Sequence, residues 1–159
     1  MSFVYGSCDT HRREVLWKIL EGFDSVGLPW FVGGDHNIIV DPGVKKGRHV
    51  FPRIASSIFV QFLARCGLCD MGFNGDCFTW CNNQKGSVCS WSRLDRCLEN
   101  VDAVSSFPHD MVDHLVRGIS DHSPLLVSLL PRQNNRECFR FCEHWRDRPD
   151  YFRLVKDFW

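Results

Sequence analysis

With 159 residues, 44% hydrophobic and 24% charged, the chain is long enough to bury one ordinary core and too apolar for a disordered segment. Nineteen Lys and Arg balance nineteen Asp and Glu, so no global positive field draws nucleic acid, and any such binding must rest on local patches. No apolar run reaches membrane-span length, and Met1-Ser2-Phe3-Val4-Tyr5-Gly6 lacks the basic and apolar regions of an export signal, so neither a membrane nor a secreted setting is expected.

Residues 3–6 are predicted to be the end of a buried strand that begins abruptly, as in a truncated domain. Asp9 or Thr10 caps a helix whose apolar stripe is Val15, Leu16, Ile19, Leu20 and Phe23. Gly27-Leu28-Pro29 breaks it, and Trp30–Gly34 is a short buried strand that delivers Asp35, His36 and Asn37 into a turn. A loop from Asp41 to Pro52 carries Lys45, Lys46, Arg48 and His49, read as a solvated face rather than a binding patch. A second helix follows with Ile54, Ile58, Phe59, Phe62, Leu63 and Cys66 on one side and Gly67 as its stop.

From Leu68 the pattern changes to short strands separated by Asn, Gly and Ser. Phe78–Cys81 and Leu94–Leu98 are predicted strands, joined by a hairpin-like Asn82–Gly86. Val101–Phe107 reads as a short helix, and Met111–Val116 and Pro124–Leu130 as closing strands around Ser120-Asp121-His122-Ser123. The class expected is α/β (α+β), with helices packed on sheet and thirteen Phe and six Trp needing a packed interior. After Pro131 the chain turns polar and then aromatic, which resembles a linker.

Nine cysteines without an export signal indicate reduced thiols. Cys66-x-x-Cys69 and Cys77-x3-Cys81 have zinc-ligand spacing, which keeps a zinc-binding or other non-catalytic interaction module as an alternative. The competing reading is that these are small buried hydrophobes, since Cys66 falls on a helix stripe and Cys77 and Cys81 flank Phe78-Thr79-Trp80.

Three polar clusters fall at ends of predicted strands, where functional side chains are often presented. They are Gly34-Asp35-His36-Asn37, Arg93-Leu94-Asp95-Arg96 and Ser120-Asp121-His122-Ser123-Pro124. Each alone is an ordinary turn or ion pair. In this order, with Val4-Tyr5-Gly6 before them and Phe78-Thr79-Trp80 between, they resemble the endonuclease/exonuclease/phosphatase (DNase I-like) superfamily. Arg12, Arg13, Leu16 and Trp17, then Pro29-Trp30, and the tail Phe139-Arg140-Phe141 with Trp145 narrow the likeness to the endonuclease domain of LINE-type (non-LTR) retrotransposons, especially those of plant genomes.

The resemblance implies part of a DNase I-like four-layer sandwich, two packed mixed β-sheets flanked by helices. Residues 1–130 would be the C-terminal part of the nuclease domain, and 131–159 a link toward a reverse transcriptase. It also implies roles in metal-dependent cleavage of DNA phosphodiesters. Asp35 would align or deprotonate the attacking water. Asn37 and Tyr5 would hydrogen-bond phosphate oxygens, with Asp35 and Asn37 sharing a side if the segment stays extended. His122 would contact the scissile phosphate, oriented by Asp95. Asp121 would sit by Mg²⁺, for which Mn²⁺ can substitute. Thr79, Trp80 and Arg93 would support the site. DNA is the implied partner, with no small-molecule cofactor, and nucleus or cytoplasm the expected setting.

Two departures temper the expected activity. His36 stands where the family carries an apolar or aromatic residue, so it would be a buried polar group needing a partner. The family's first-strand Asn and metal-binding Glu precede the Tyr-bearing strand, and only four residues precede Tyr5 in this chain. Weak metal binding and an inactive isolated chain are therefore expected.

Overall fold

The computed structural model describes residues 1–23, 27–47, 53–130, 146 and 150–158. Strand β1 (Ser2–Tyr5) runs parallel to β2 (Phe31–Asp35), the central strand of the main sheet. Helix α1 (Thr10–Glu21) forms the crossover between them, its first turn capped by the Asp9 carboxylate, which accepts from Arg12 N at 2.9 Å.

The predicted stripe of α1 is corrected. Val15, Ile19 and Phe23 are exposed, and the buried face is Arg13, Trp17 and Leu20. Helix α2 (Arg53–Cys66) supplies the reason: the Trp17 ring lies 5.1 Å from Phe59 and 6.0 Å from Phe62. Seating an indole there buries more apolar area than seating Val15 and Ile19 would. Arg13 follows inward because its two terminal nitrogens are bonded locally, although Nε finds no partner among the described residues. Arg13 donates to Ser7 O at 2.6 Å, Cys8 O at 2.9 Å and Thr10 Oγ1 at 3.1 Å. In α2 the predicted stripe holds from Ile58 to Cys66, but Ile54, in the first turn, is exposed. Gly67, in the left-handed region at φ 60°, ends the helix.

The main sheet continues through β4 (Cys69–Asp70) and β8 (Asp95–Glu99), in the order β1-β2-β8-β4. Its two faces bury different cores. Val32 and Leu98 join Trp17, Leu20, Phe59 and Phe62 on the helix side. Phe31 and Cys97, of opposite parity, meet the second sheet. That sheet is β5 (Asn74–Gly75), β9 (Met111–His114) and β10 (Leu125–Ser128), with Val112, Leu125 and Val127 facing inward. Both sheets mix parallel and antiparallel pairs. The fold class is α+β with packed mixed sheets, as the sequence implies.

A third, smaller sheet was not expected: β3 (Lys45–Lys46), β6 (Trp80–Cys81) and β7 (Trp91–Ser92). It corrects the predicted hairpin, because β6 pairs with β7 rather than with residues 94–98. The chain leaves the ladder at Arg93 and Leu94 and crosses to the main sheet as β8. Backbone groups freed at the crossing are satisfied by Thr79 Oγ1, which accepts from both Leu94 N and Asp95 N at 3.0 Å.

The predicted helix at 101–107 is α3 (Val101–Ser106). Its cap Asn100 ties the element to β2: Oδ1 accepts from Ala103 N and Trp30 N, and Nδ2 donates to Leu28 O, each at 2.9 Å. In the predicted link, residues Tyr151–Phe158 form α4, while Phe139, Phe141 and Trp145 lie outside the described residues, as do Arg48 and His49. Among the described residues no helix is long and apolar enough to cross a membrane.

Among the described residues β1 is an edge strand, and Phe3 (82% exposed) and Tyr5 (80% exposed) project from the face that elsewhere meets the second sheet. The second sheet does not reach over them.

Candidate active site

The register of the main sheet sets three predicted residues abreast. Tyr5 pairs with Asp35, and Asp35 with Asp95, at the ends of β1 and β2 and the start of β8. Directly opposite residues share a face, so all three side chains emerge together. Gly34 makes this close approach possible. At φ 136° an added Cβ would collide with the Val4 carbonyl.

His122 is brought to this row by a second set of bonds. Ser123 N donates to Thr79 O at 2.7 Å, Cys81 N to Asp121 O at 3.0 Å, and Trp80 forms an antiparallel bridge with His122. The 120–123 turn is thereby zipped onto β6. Trp80 Nε1 donates to Asp121 Oδ2 at 3.1 Å and fixes that carboxylate too. His122 Nδ1 lies 2.9 Å from Asp95 Oδ2, so the bond to Asp95 orients the ring and leaves Nε2 as its second functional nitrogen.

Asp35 is buried, and its Oδ1 accepts from Asn37 N at 2.7 Å. The turn predicted after Gly34 is present, so the shared side that an extended segment would give Asp35 and Asn37 does not arise. Asn37 sits in the left-handed region at φ 48°, and the segment closes as an Asx turn. The Asn37 amide then turns back to the segment between β1 and α1, donating to Gly6 O and lying beside Cys8 Sγ, both at 3.2 Å. Asn37 still lines the same cleft as Asp35, but through a turn rather than through strand parity. Burial, followed by the nearby Asp95, raises the Asp35 pKa against the opposing bond from Asn37 N. A carboxylate shifted upward is a better base than an ordinary one.

Tyr5, Asp35, Asn37, Trp80, Asp121 and His122 line one cleft of about 430 Å³. Arg13, Lys45, Ser90, Ser92 and Cys8 line it as well, and the sequence reading assigned none of them. Lys45 is the instructive miss. Read as part of a solvated loop, it pairs through β3 with Ser92 of β7, and the small sheet carries it to the cleft wall. Partial burial lowers its pKa. No spacing rule points to Lys45; only the pairing of two-residue strands does. Arg13 was legible as a motif residue but not as a buried cation facing Asp35.

Behind the cleft, Asp70 clamps both arginines of the Arg-Leu-Asp-Arg run. Arg93 Nη2 lies 2.7 Å from Asp70 Oδ1, and Arg96 Nη1 2.8 Å from Oδ2. Arg93 also stacks 4.4 Å above Phe73, whose other partner is the His114 ring at 4.4 Å and 1°. Arg93 therefore supports β8, which carries Asp95, and does not line the cleft.

His36 is fully buried against Phe59, and among the described residues its Nε2 has no hydrogen-bond partner. Burial, helped by Arg96, lowers its pKa to about 4, so the ring is neutral at physiological pH.

Asp35 and Asp121 are the carboxylates that line the cleft. Among the described residues no group of three or more His, Cys, Asp or Glu side chains gathers as a metal cage. Two carboxylates suit Mg²⁺, which keeps several waters and takes phosphate oxygens, and do not suit a closed zinc site. Of the cysteines with zinc-like spacing, Cys66 is packed in the helix-side core and Cys81 lies in the β6–β7 hairpin.

No family model matches this sequence, and no curated protein does. Among solved structures the chain is similar to the endonuclease domain of TRAS1, a telomere-specific non-LTR retrotransposon, with a TM-score of 0.57 and 18% identity. The match covers 82% of this chain and 56% of that one, so the chain spans little more than half of the domain it resembles. At this identity the likeness shows the fold: that of a retrotransposon endonuclease domain.

Proposed function

We propose that this chain carries the phosphate-cleaving side of a LINE-type endonuclease, directed at DNA phosphodiesters with Mg²⁺ or Mn²⁺, and that the isolated chain does not turn over. The observation that carries the reading is the His122–Asp95 pair at 2.9 Å with Asp35 directly opposite Asp95 in the β2–β8 ladder. An oriented imidazole beside a carboxylate of raised pKa is what hydrolysis of a phosphoester by water requires. Asp35 takes the proton of the attacking water, and His122 holds the scissile phosphate. Asn37 and Tyr5 donate to phosphate oxygens, and Asp121 is the carboxylate beside the cation. When bound, the cation polarises the phosphoryl oxygen and steadies the leaving oxygen.

Inactivity follows from preorganisation. Tyr5 is 80% exposed on an uncovered edge, so its phenol is not held where phosphate would sit. Two cleft carboxylates also bind Mg²⁺ weakly without phosphate oxygens. In this reading residues 1–130 are the C-terminal part of the nuclease domain, 131–159 lead toward a reverse transcriptase, and the parent works in nucleus or cytoplasm.

Nicking of supercoiled plasmid, with Mg²⁺, Mn²⁺ or chelator, tests the reading against a His122→Ala chain purified in parallel. The expected result is no metal-dependent nicking above that control. Metal-dependent nicking lost in His122→Ala would uphold the site assignment and refute the inactivity. Nicking that survives in both His122→Ala and Asp35→Ala would refute the site itself. Lys45 is expected to contribute one phosphate contact. Lys45→Ala should weaken duplex binding several-fold, lower its salt slope by about 1, and leave thermal stability unchanged. Fluorescence anisotropy across a salt series reads both.

A further inference from the structure

Between β9 and the His122 turn runs a short segment, Leu115-Val116-Arg117-Gly118-Ile119, whose apolar side chains meet solvent. Val116 is 95% exposed and Ile119 fully so, and among the described residues nothing covers them. Single exposed aliphatic side chains are ordinary, but these stand on a segment pinned at both ends and in the middle. Leu115 N donates to Pro124 O at 2.9 Å and closes the segment into a loop. The Arg117 guanidinium lies 4.7 Å above the Trp91 ring of β7. His122 N donates to Ser120 Oγ at 3.0 Å, which fixes the exit of the loop against the histidine itself.

We propose that Val116 and Ile119 form an apolar wedge that enters a groove of duplex DNA beside the scissile phosphate and opens a base step there. This rests on the reading of the cleft as a phosphodiester-cleaving site with His122 on that phosphate. Ile119 stands three residues before His122, so their Cα atoms are at most about 11 Å apart. The Leu115–Pro124 bond keeps Val116 close to the same turn. The major groove of B-DNA is about 12 Å wide, so a duplex seated on His122 brings base edges within reach of the loop.

The side chains suit this role. Val and Ile are branched at Cβ and hold few rotamers, so inserting them forfeits little freedom. Aliphatic side chains driven between base steps unstack them and kink the duplex, and a loop anchored at three points can bear on the stack without folding back. The loop carries no acidic residue, so nothing on it repels the phosphates to either side. Its contribution differs in kind from that of Lys45. A cation on phosphate releases counterions and weakens with salt, whereas an apolar contact does not.

The test is anisotropy and end-to-end energy transfer on a short doubly labelled duplex, with chelator present so that nothing is cut. Binding of the wild-type chain should shorten the end-to-end distance, as a kink does. Val116→Ser with Ile119→Ser should bind about tenfold more weakly, abolish the shortening and leave the salt slope unchanged. Val116→Leu with Ile119→Leu should restore affinity and shortening together. Both positions are exposed, so neither variant should move the thermal midpoint. The proposal is overturned if the serine variant binds and bends duplex as the wild type does, or if the wild type binds without bending. A lower salt slope in Lys45→Ala would then keep the DNA reading of the cleft. An unchanged slope, or no duplex binding by any chain, would remove that reading as well. Self-association abolished by the serine variant, with duplex binding untouched, would assign the loop to a second copy and equally overturn the proposal.

Discussion

Replacing Asp70 by alanine should cost the fold about 3 kcal/mol, read as a fall in the urea midpoint with an unchanged slope. Two guanidiniums, Arg93 and Arg96, meet at this one carboxylate with side chains only 6% and 4% exposed. Burying either cation is tolerable because Asp70 neutralises it through a charge-assisted bond. Without Asp70 two like charges face each other in a desolvated pocket, and breaking buried pairs costs about 3–5 kcal/mol. The lower end applies, because the Asp70 side chain is itself 29% exposed and water screens part of the loss. Asp70→Asn should cost less, since the amide oxygen still accepts from one arginine.

The pH dependence has a definite sign. Burial alone would raise the Asp70 pKa, but Arg93 and Arg96 overcome it and hold the carboxylate below its ordinary range. A depressed carboxylate adds stability above its unfolded pKa and loses it as pH falls through the folded value. The Asp70→Ala chain should lack this acid transition.

His36 should give a second acid transition, placed higher. Its folded pKa of about 4 stands against an ordinary value of 6.5. Between these the unfolded chain binds a proton that the folded chain refuses, so stability is complete above about pH 6.5 and falls toward pH 4. The loss is roughly 1.4 kcal/mol per pH unit, about 3 kcal/mol in all. Asp35 works in the opposite sense. Its raised pKa means that folding gains from protonation there, which offsets part of the fall near pH 4. His36→Leu isolates the histidine: its stability profile should lack the decline between pH 6.5 and 4. Chemical denaturation at several pH values compares the two chains. A parallel decline in both would show that the ring does not carry the effect.

The sequence made the central frame legible where one physical signal dominated. The apolar run Trp30–Gly34 between a Pro break and a polar turn could only be a buried strand, and it is β2. The α2 stripe was legible because Phe59, Phe62 and Cys66 recur at helical spacing. The reading failed where hydrogen bonding outweighed hydrophobicity. Arg13 turns inward because Ser7, Cys8 and Thr10 bond its terminal nitrogens, and no periodicity rule scores such local bonds. The strands β3, β4, β5 and β7 were missed because two residues carry no period. Among the site residues, Asp35, Asp95 and His122 come together as the motif order suggested. Asn37 turns as the Gly34-Asp35-His36-Asn37 run predicts, and what the sequence does not show is that the Asp35 carboxylate closes the turn on Asn37 N.

The uncovered margin of the main sheet has a consequence for the bench. Among the described residues nothing pairs with the outer side of β1, and that row of backbone groups, flanked by an exposed Phe3, is a template on which another extended segment can be laid. Two such chains can meet margin to margin, and the population that does so grows with concentration. Quantities normalised per mole of chain, a rate or a stoichiometry alike, then drift with dilution, and they describe a single molecule only in the dilute limit.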